Sequence, residues 1–167
     1  MNLELSDEQV ALRDTTRRYL AEKASIADHV RPLLDDPTGV TEPVWRGLAG
    51  LGTTGLLVPE AHGGAGMTMV EAGIVAEELG AALHPGPWLS TAVAAARALT
   101  RLGPTDAAAE LLSGISDGTT VATVGFLDAE SAPVAASRQG DDVVLRGDMT
   151  AVFPGERQQH VRGGDVG

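Results

Sequence analysis

Cysteine is absent from the 167-residue chain, which excludes disulfides, thiolate metal sites and a cysteine nucleophile and is compatible with a reducing compartment. Lysine is nearly absent as well. Lys23 is the only one, and with a formal net charge of −11 the chain lacks the dense basic surface that binding a phosphate backbone requires, so nucleic acid is excluded as a partner. Aromatic residues make up 3%, so a core has to be assembled from Ala, Leu and Val through closely approaching helices. The acidic start, Met1-Asn2-Leu3-Glu4-Leu5-Ser6-Asp7-Glu8, has no uninterrupted apolar run. No secretory signal or membrane insertion is expected, and a cytoplasmic location follows as the default. The negative charge also repels polyanions unless an arginine cluster overrides it. Arg97 and Arg101, at i and i+4, are one such cluster or a solvated face.

What is present is helix punctuation. Ser6-Asp7-Glu8-Gln9 is a capping box, followed by a stripe of Leu12, Thr16, Tyr19 and Leu20 that fades toward Arg31-Pro32. Thr41-Glu42-Pro43 opens a short helix through Trp45, Leu48 and Leu51 that Gly52 ends. A second capping box, Thr68-Met69-Val70-Glu71, starts a helix carrying Ala72, Val75, Ala76 and Leu79, with Gly80 as its stop. Pro87 begins another, with Leu89, Ala92, Val93, Ala96 and Leu99 on one face, and Thr105 to Leu112 forms the last. From Thr119 short strands are expected at Val121 to Leu127, Val134 to Arg138, Val143 to Arg146 and Thr150 to Phe153, with a hairpin turn at Gln139-Gly140-Asp141-Asp142. The expected fold is mainly α: a helical domain over 1–115, an incomplete β domain over 116–155 and an atypical polar tail over 156–167.

Several motifs suggest chemistry that their context removes. Gly50-Leu51-Gly52-Thr53-Thr54-Gly55 is a literal G-x-G-x-x-G, but a helix precedes it, whereas a dinucleotide fingerprint needs a strand before and a helix N-terminus after. His62-Gly63-Gly64 lacks the G-x-S-x-G elbow that an esterase oxyanion loop requires. Both read as glycine turns that permit close packing. The four histidines, at 29, 62, 84 and 160, show no ligand spacing, so no metal is expected. Glu77 and Glu78 point about 100° apart on a helix and read as a solvated face.

The ordered set carries more information than any single motif. Trp45 to Glu60, containing Leu51-Gly52-Thr53-Thr54-Gly55-Leu56-Leu57-Val58-Pro59-Glu60, then Gly63-Gly64-Ala65-Gly66 and Glu77-Glu78-Leu79-Gly80, closely resembles the amino-terminal domain of the acyl-CoA dehydrogenases. In that family a tryptophan helix is followed by L-G-x-x-G-L-x-V-P-E, a G-G-x-G turn and a helix ending in E-E-L-G. The opening Leu5-Ser6-Asp7-Glu8-Gln9 is similar to the family's first helix. Pro85-Gly86-Pro87-Trp88-Leu89-Ser90-Thr91 is similar to a divergent bacterial branch that works as paired, unlike subunits.

The resemblance implies a helical domain, a middle β domain and a carboxy-terminal helical domain, assembled as homo- or hetero-oligomers around FAD. The reaction it implies is α,β-dehydrogenation of an acyl-CoA thioester in fatty-acid or lipid catabolism, with a glutamate base and the flavin as hydride acceptor. That glutamate belongs to the family's carboxy-terminal region, so no catalytic residue is expected in this chain, and activity alone is not. Phe126, Leu127 and Asp128 occupy the place of the family's flavin-facing strand end, T-E-P, with Asp128 in place of the threonine. A plain strand end is the alternative. Trp88, Leu89 and Val93 correspond to the helix near the distal end of the acyl pocket, with core packing as the alternative for each. The tail from Glu156 departs from the family pattern, and an altered reading frame or an engineered end near Glu156 is expected. A non-catalytic subunit docking on a complete dehydrogenase is the alternative role. Related flavoproteins that oxidise nitroalkanes or hydroxylate aromatics share the scaffold, so fold alone does not separate these chemistries.

Overall fold

The computed structural model describes residues 4–36, 41–126, 134–140, 142–147 and 151–152. Five α-helices run through it: α1 (Asp7–Lys23), α2 (Glu42–Gly50), α3 (Met69–Ala81), α4 (Ala96–Leu102) and α5 (Asp106–Ser116). A π-helical turn, Ile26–Val30, and a 3-10 turn, Pro32–Asp35, follow α1, and a second π-helical stretch, Leu89–Ala95, runs into α4. Four short strands complete the order: β1 (Gly125–Phe126), β2 (Ala135–Gln139), β3 (Asp142–Arg146) and β4 (Ala151–Val152). The architecture is the mainly helical one expected from the sequence, with the opening strands of a β region after it.

Both capping boxes form and join each other. Ser6 Oγ accepts the Gln9 amide at 3.3 Å while Gln9 Oε1 accepts the Ser6 amide at 3.0 Å. Glu71 accepts both the amide and the hydroxyl of Thr68, at 3.0 and 2.6 Å. The Gln9 side-chain amide then donates to Glu71 at 2.7 Å, tying the start of α1 to the start of α3. The hydroxyl of Thr68, and after it Gln9, hold the Glu71 carboxyl down at about 2, because each donates to its ionised form. Along α1 the expected stripe faces α3, with Thr16 and Leu20 buried and Leu12 and Tyr19 packed at the core's edge.

The larger core gathers Leu20, Val44, Trp45, Leu48, Leu56, Val75, Leu79 and Trp88. Its two indoles act as pins: Trp45 Nε1 donates to the Gly118 carbonyl at 2.8 Å and Trp88 Nε1 to the Thr53 carbonyl at 3.2 Å. A second cluster, Val58, Ala95, Ala96, Leu112 and Ile115, lies against α4 and α5. Between them the glycine-rich stretch folds back on itself, the amides of Ala65, Gly66 and Met67 donating to the carbonyls of Gly55, Val58 and Leu56 at 3.0, 2.9 and 2.7 Å. A Cβ on Gly64 would run into the Val58 carbonyl. This is the close glycine packing read from the sequence; in the G-x-G-x-x-G, Gly55 is crowded by Ser116 and Gly52 is left-handed at φ +77°, while a Cβ on Gly50 would meet nothing within 4 Å.

Three expectations are corrected. Gly80 does not stop α3. The helix continues to Ala81, and the left-handed residue that closes it is Leu83, at φ +50°, with the amides of Leu83 and His84 donating back to Gly80 and Leu79 at 3.0 and 2.9 Å. That is a Schellman closure built on leucine where glycine is usual. Glu78 is not on a solvated face: it is 3% exposed and takes two hydrogen bonds from Arg17, at 2.8 and 2.7 Å. The first strand is two residues long, because Val121 to Val124 is held on the helical body instead of entering a ladder, with Ala122 and Val124 packed against the second cluster. The expected hairpin forms in the expected register, with Gln139 opposite Asp142.

Leu83 supplies a first prediction. A left-handed residue with a Cβ costs about 1–2 kcal/mol, and glycine returns part of that as chain entropy. Leu83→Gly is expected to raise stability by about 0.5–1 kcal/mol, read as a higher urea midpoint. An unchanged or lower midpoint would refute the strain.

Candidate functional site

The helix that begins at Trp88 bears the residues expected at the acyl pocket, and its first turns are not α-helical. In a π-helical stretch each turn holds an extra residue, a widening that recurs at functional sites. Trp88 is buried, its indole directed at Thr53. Leu89 is 63% exposed, and Val93, one turn on, is half-buried against the larger core. Leu89 and Val93 therefore form an apolar edge beside a buried row of Ser90, Thr91, Ala92 and Ala95. Arg97 and Arg101 are both exposed, as expected of a solvated face.

The structure joins this helix to the other predicted stretch through a residue that sequence reasoning did not single out. Thr91, fully buried, donates its hydroxyl to the Ala122 carbonyl at 2.8 Å and accepts the Ala122 amide at 3.1 Å. Three residues later the chain enters β1, whose Phe126 pairs with Ala151 of β4. Three residues span at most about 11 Å, so β1 starts within that reach of the Thr91 contact. Leu127 and Asp128 lie outside the described residues. A threonine in an Ala-rich helix is a weak local signal, and its partner lies 31 positions away.

Phe126 is the one residue of the expected flavin-facing trio that is described, and its backbone is engaged with β4. Among the described residues, the buried polar side-chain atoms without a partner are on His29, Thr41 and His84, so β1 and the Leu89–Ala95 stretch leave none. Among the described residues there is also no group of three His, Cys, Asp or Glu that could hold a metal, and no helix long and apolar enough to cross a membrane.

His29 and His84 do come together, although no spacing in the sequence suggested it. Their rings stack with centroids 5.9 Å apart and planes 15° from parallel. Burial first, and the neighbouring His29 second, hold His84 down at about 4, against 6.5 when free. The folded chain refuses a proton that the unfolded chain accepts. The contribution of His84 is therefore full above pH 6.5 and is lost as pH falls toward 4. For a partly exposed ring that loss is about 2 kcal/mol. Urea midpoints measured between these limits should fall more steeply for the parent chain than for His84→Gln, and equal slopes would count against the stacked pair.

The helical body is clamped through the π-helical stretch Leu89–Ala95 to the segment that leads into β1. The sequence profile of the acyl-CoA dehydrogenase N-terminal domain matches residues 6–119, and the chain belongs to the acyl-CoA dehydrogenase family. It is 34% identical over 149 residues to acyl-CoA dehydrogenase IpdE2 of Mycolicibacterium smegmatis, a match covering 88% of this chain and 47% of that protein. Its 37% identity to IpdE2 of Mycobacterium tuberculosis covers 69% of this chain and 36% of the relative. Among solved structures it is similar to a variant of the Tcur3481-Tcur3483 steroid ACAD, with a TM-score of 0.73 at 30% identity, over 87% of this chain and 41% of that one. It is also similar to the ChsE4-ChsE5 complex of Mycobacterium tuberculosis, with a TM-score of 0.79 at 25% identity, over 91% and 42%. The chain spans less than half the length of each of these relatives.

Proposed function

We propose that this chain supplies the helical domain, and the start of the β domain, of an FAD-dependent acyl-CoA dehydrogenase that acts as an oligomer of unlike subunits. The division falls near Ser116, the last residue of α5. The observation that carries the reading is the paired hydrogen bond between Thr91 and Ala122, which ties the helical stretch bearing Leu89 and Val93 to the segment that leads into β1 and supports a shared site. Leu89 and Val93 then present the distal end of an acyl pocket, excluding water from the thioester's apolar tail. Bound FAD would supply the hydride acceptor for α,β-dehydrogenation. Its contacts, and the base, come largely from outside the described residues. The ChsE4-ChsE5 complex among the similar structures supports the unlike partner, and the Tcur3481-Tcur3483 steroid ACAD supports both that partner and a bulky, steroid-type acyl group.

The test is isolation of the chain from its host under mild conditions, followed by a visible spectrum and identification of associated subunits. Flavin absorbance together with a second, dehydrogenase-like subunit is the expected result. A colourless chain without such a partner rejects the reading. Within the flavin-loaded assembly, Leu89→Trp is expected to lower kcat/KM on long or bulky acyl-CoA by about tenfold or more while leaving short ones little changed.

One observation favours the second role, a non-catalytic subunit docked on a complete dehydrogenase. The β2–β3 hairpin leaves every residue of β2 exposed, with Val143 and Leu145 of β3 exposed as well, so this hairpin has a surface for a partner to cover. In that role the flavin, and all the activity, would follow the partner alone.

A further inference from the structure

An apolar groove of about 650 Å³ lies where the turns after α1 meet the end of α3, and none of its lining residues belongs to the Leu89–Val93 edge or to β1. Ile26 and Val30 of the first π-helical turn and Leu34 of the next turn form one wall, and Leu83 and Pro85 the other. Ile26, Leu34 and Leu83 are 40, 80 and 64% exposed, a concentration of large apolar side chains in water that marks a binding surface more often than chance. Leu83 lines the groove from a left-handed backbone, φ +50°, and such strain collects at functional positions. The walls are tied together by the His29–His84 stack, since His29 sits in the first turn and His84 follows Leu83.

One charged residue lines the groove, Arg31. It is exposed, and the ion pairs of the described residues do not include it. No carboxylate lines the groove. In a chain of net charge −11 an exposed guanidinium, outside those ion pairs, at the mouth of an otherwise apolar groove is the complement of an anion that carries an apolar tail. We propose that the groove binds an amphiphilic monoanion, an unbranched acyl carboxylate, with its chain along Ile26, Leu34 and Leu83 and its carboxylate on Arg31. This site is separate from the acyl-facing edge of Leu89 and Val93 and does not depend on the function proposed for that edge.

The test titrates the isotopically labelled chain with decanoate, and in parallel with 1-decanol below its solubility limit, following backbone amide signals by NMR. Decanoate is expected to shift the amides of Ile26, Leu34 and Leu83 saturably and to bind about tenfold more tightly than the alcohol. Arg31→Gln should bring decanoate down to the alcohol's affinity and leave the alcohol unchanged. Leu83→Gly should weaken both, and because the same variant is expected to be more stable than the parent, that loss is not unfolding. The proposal is overturned if these amides show no saturable shift, or if Arg31→Gln leaves decanoate binding intact. It is equally overturned if sedimentation shows the groove closed by a second copy that decanoate does not displace.

Discussion

Gly64→Ala is expected to unfold the helical body or bring it close to unfolding. The added Cβ would overlap the Val58 carbonyl and side chain, which are not at the free end of anything. Val58 is fully buried, and its carbonyl accepts the Gly66 amide at 2.9 Å. Relief therefore requires moving backbone in the seam where residues 55–58 pair with 65–67. Overpacking in a formed core costs about 1–3 kcal/mol when side chains can shift, and more when only backbone can. We expect about 3 kcal/mol or more here, a large share of the roughly 5–15 kcal/mol of a typical domain. The control is Gly73→Ala, at an exposed position of α3 where the added Cβ meets nothing within 4 Å. That change should stabilise by about 0.5–1 kcal/mol, because alanine gives up less chain entropy in a helix. Circular dichroism during heating separates the two, and a Gly64→Ala chain melting with the parent would sink the packing account of the motif.

How far the sequence discloses this fold follows from how local each interaction is. The capping boxes at Ser6 and Thr68 were legible because donor and acceptor lie three residues apart. The hairpin at Gln139 to Asp142 was legible for the same reason. The glycine turns were legible as packing, but their partners were not: Gly55 lies against Ser116 and Gly118 against Ala49, contacts that exist only once α2 and α5 are placed. The stop at Gly80 misled because glycine is the usual left-handed residue, and here the chain takes that conformation three residues later, at a leucine whose side chain lines the groove. Of the face expected from Leu89 to Leu99, Ala92 and Ala96 are buried while Leu89 is 63% exposed, because the first turns of this stretch are π-helical and not α-helical. The Thr91–Ala122 clasp and the His29–His84 stack were out of reach, because no pattern within one element encodes them.

Removing Arg17, the partner of Glu78, is the other large expected effect. Adjacent glutamates on a helix look alike in sequence, yet Glu77 is exposed while Glu78 is 3% exposed and held by two bonds from Arg17, whose own side chain is 61% exposed. The pair is thus asymmetric, a buried anion held by a cation that still reaches water. Arg17→Met strands the carboxylate where nothing else solvates it. Breaking a fully buried pair costs about 3–5 kcal/mol, and water entering beside the shortened side chain reduces this to about 2–3. Glu78→Gln should cost less, about 1 kcal/mol, because the guanidinium returns to water and the amide oxygen can keep one bond. Changing both, Arg17→Met with Glu78→Leu, should recover to within about 1 kcal/mol of the parent, since no charge is then left in the seam between α1 and α3. Urea midpoints for the parent and these three variants check the ordering. If Arg17→Met proves as mild as Glu78→Gln, the carboxylate is solvated and the seam is held by Thr16, Leu20, Val75 and Leu79 alone; if the double change is the worst, the pair contributes geometry that apolar side chains do not replace.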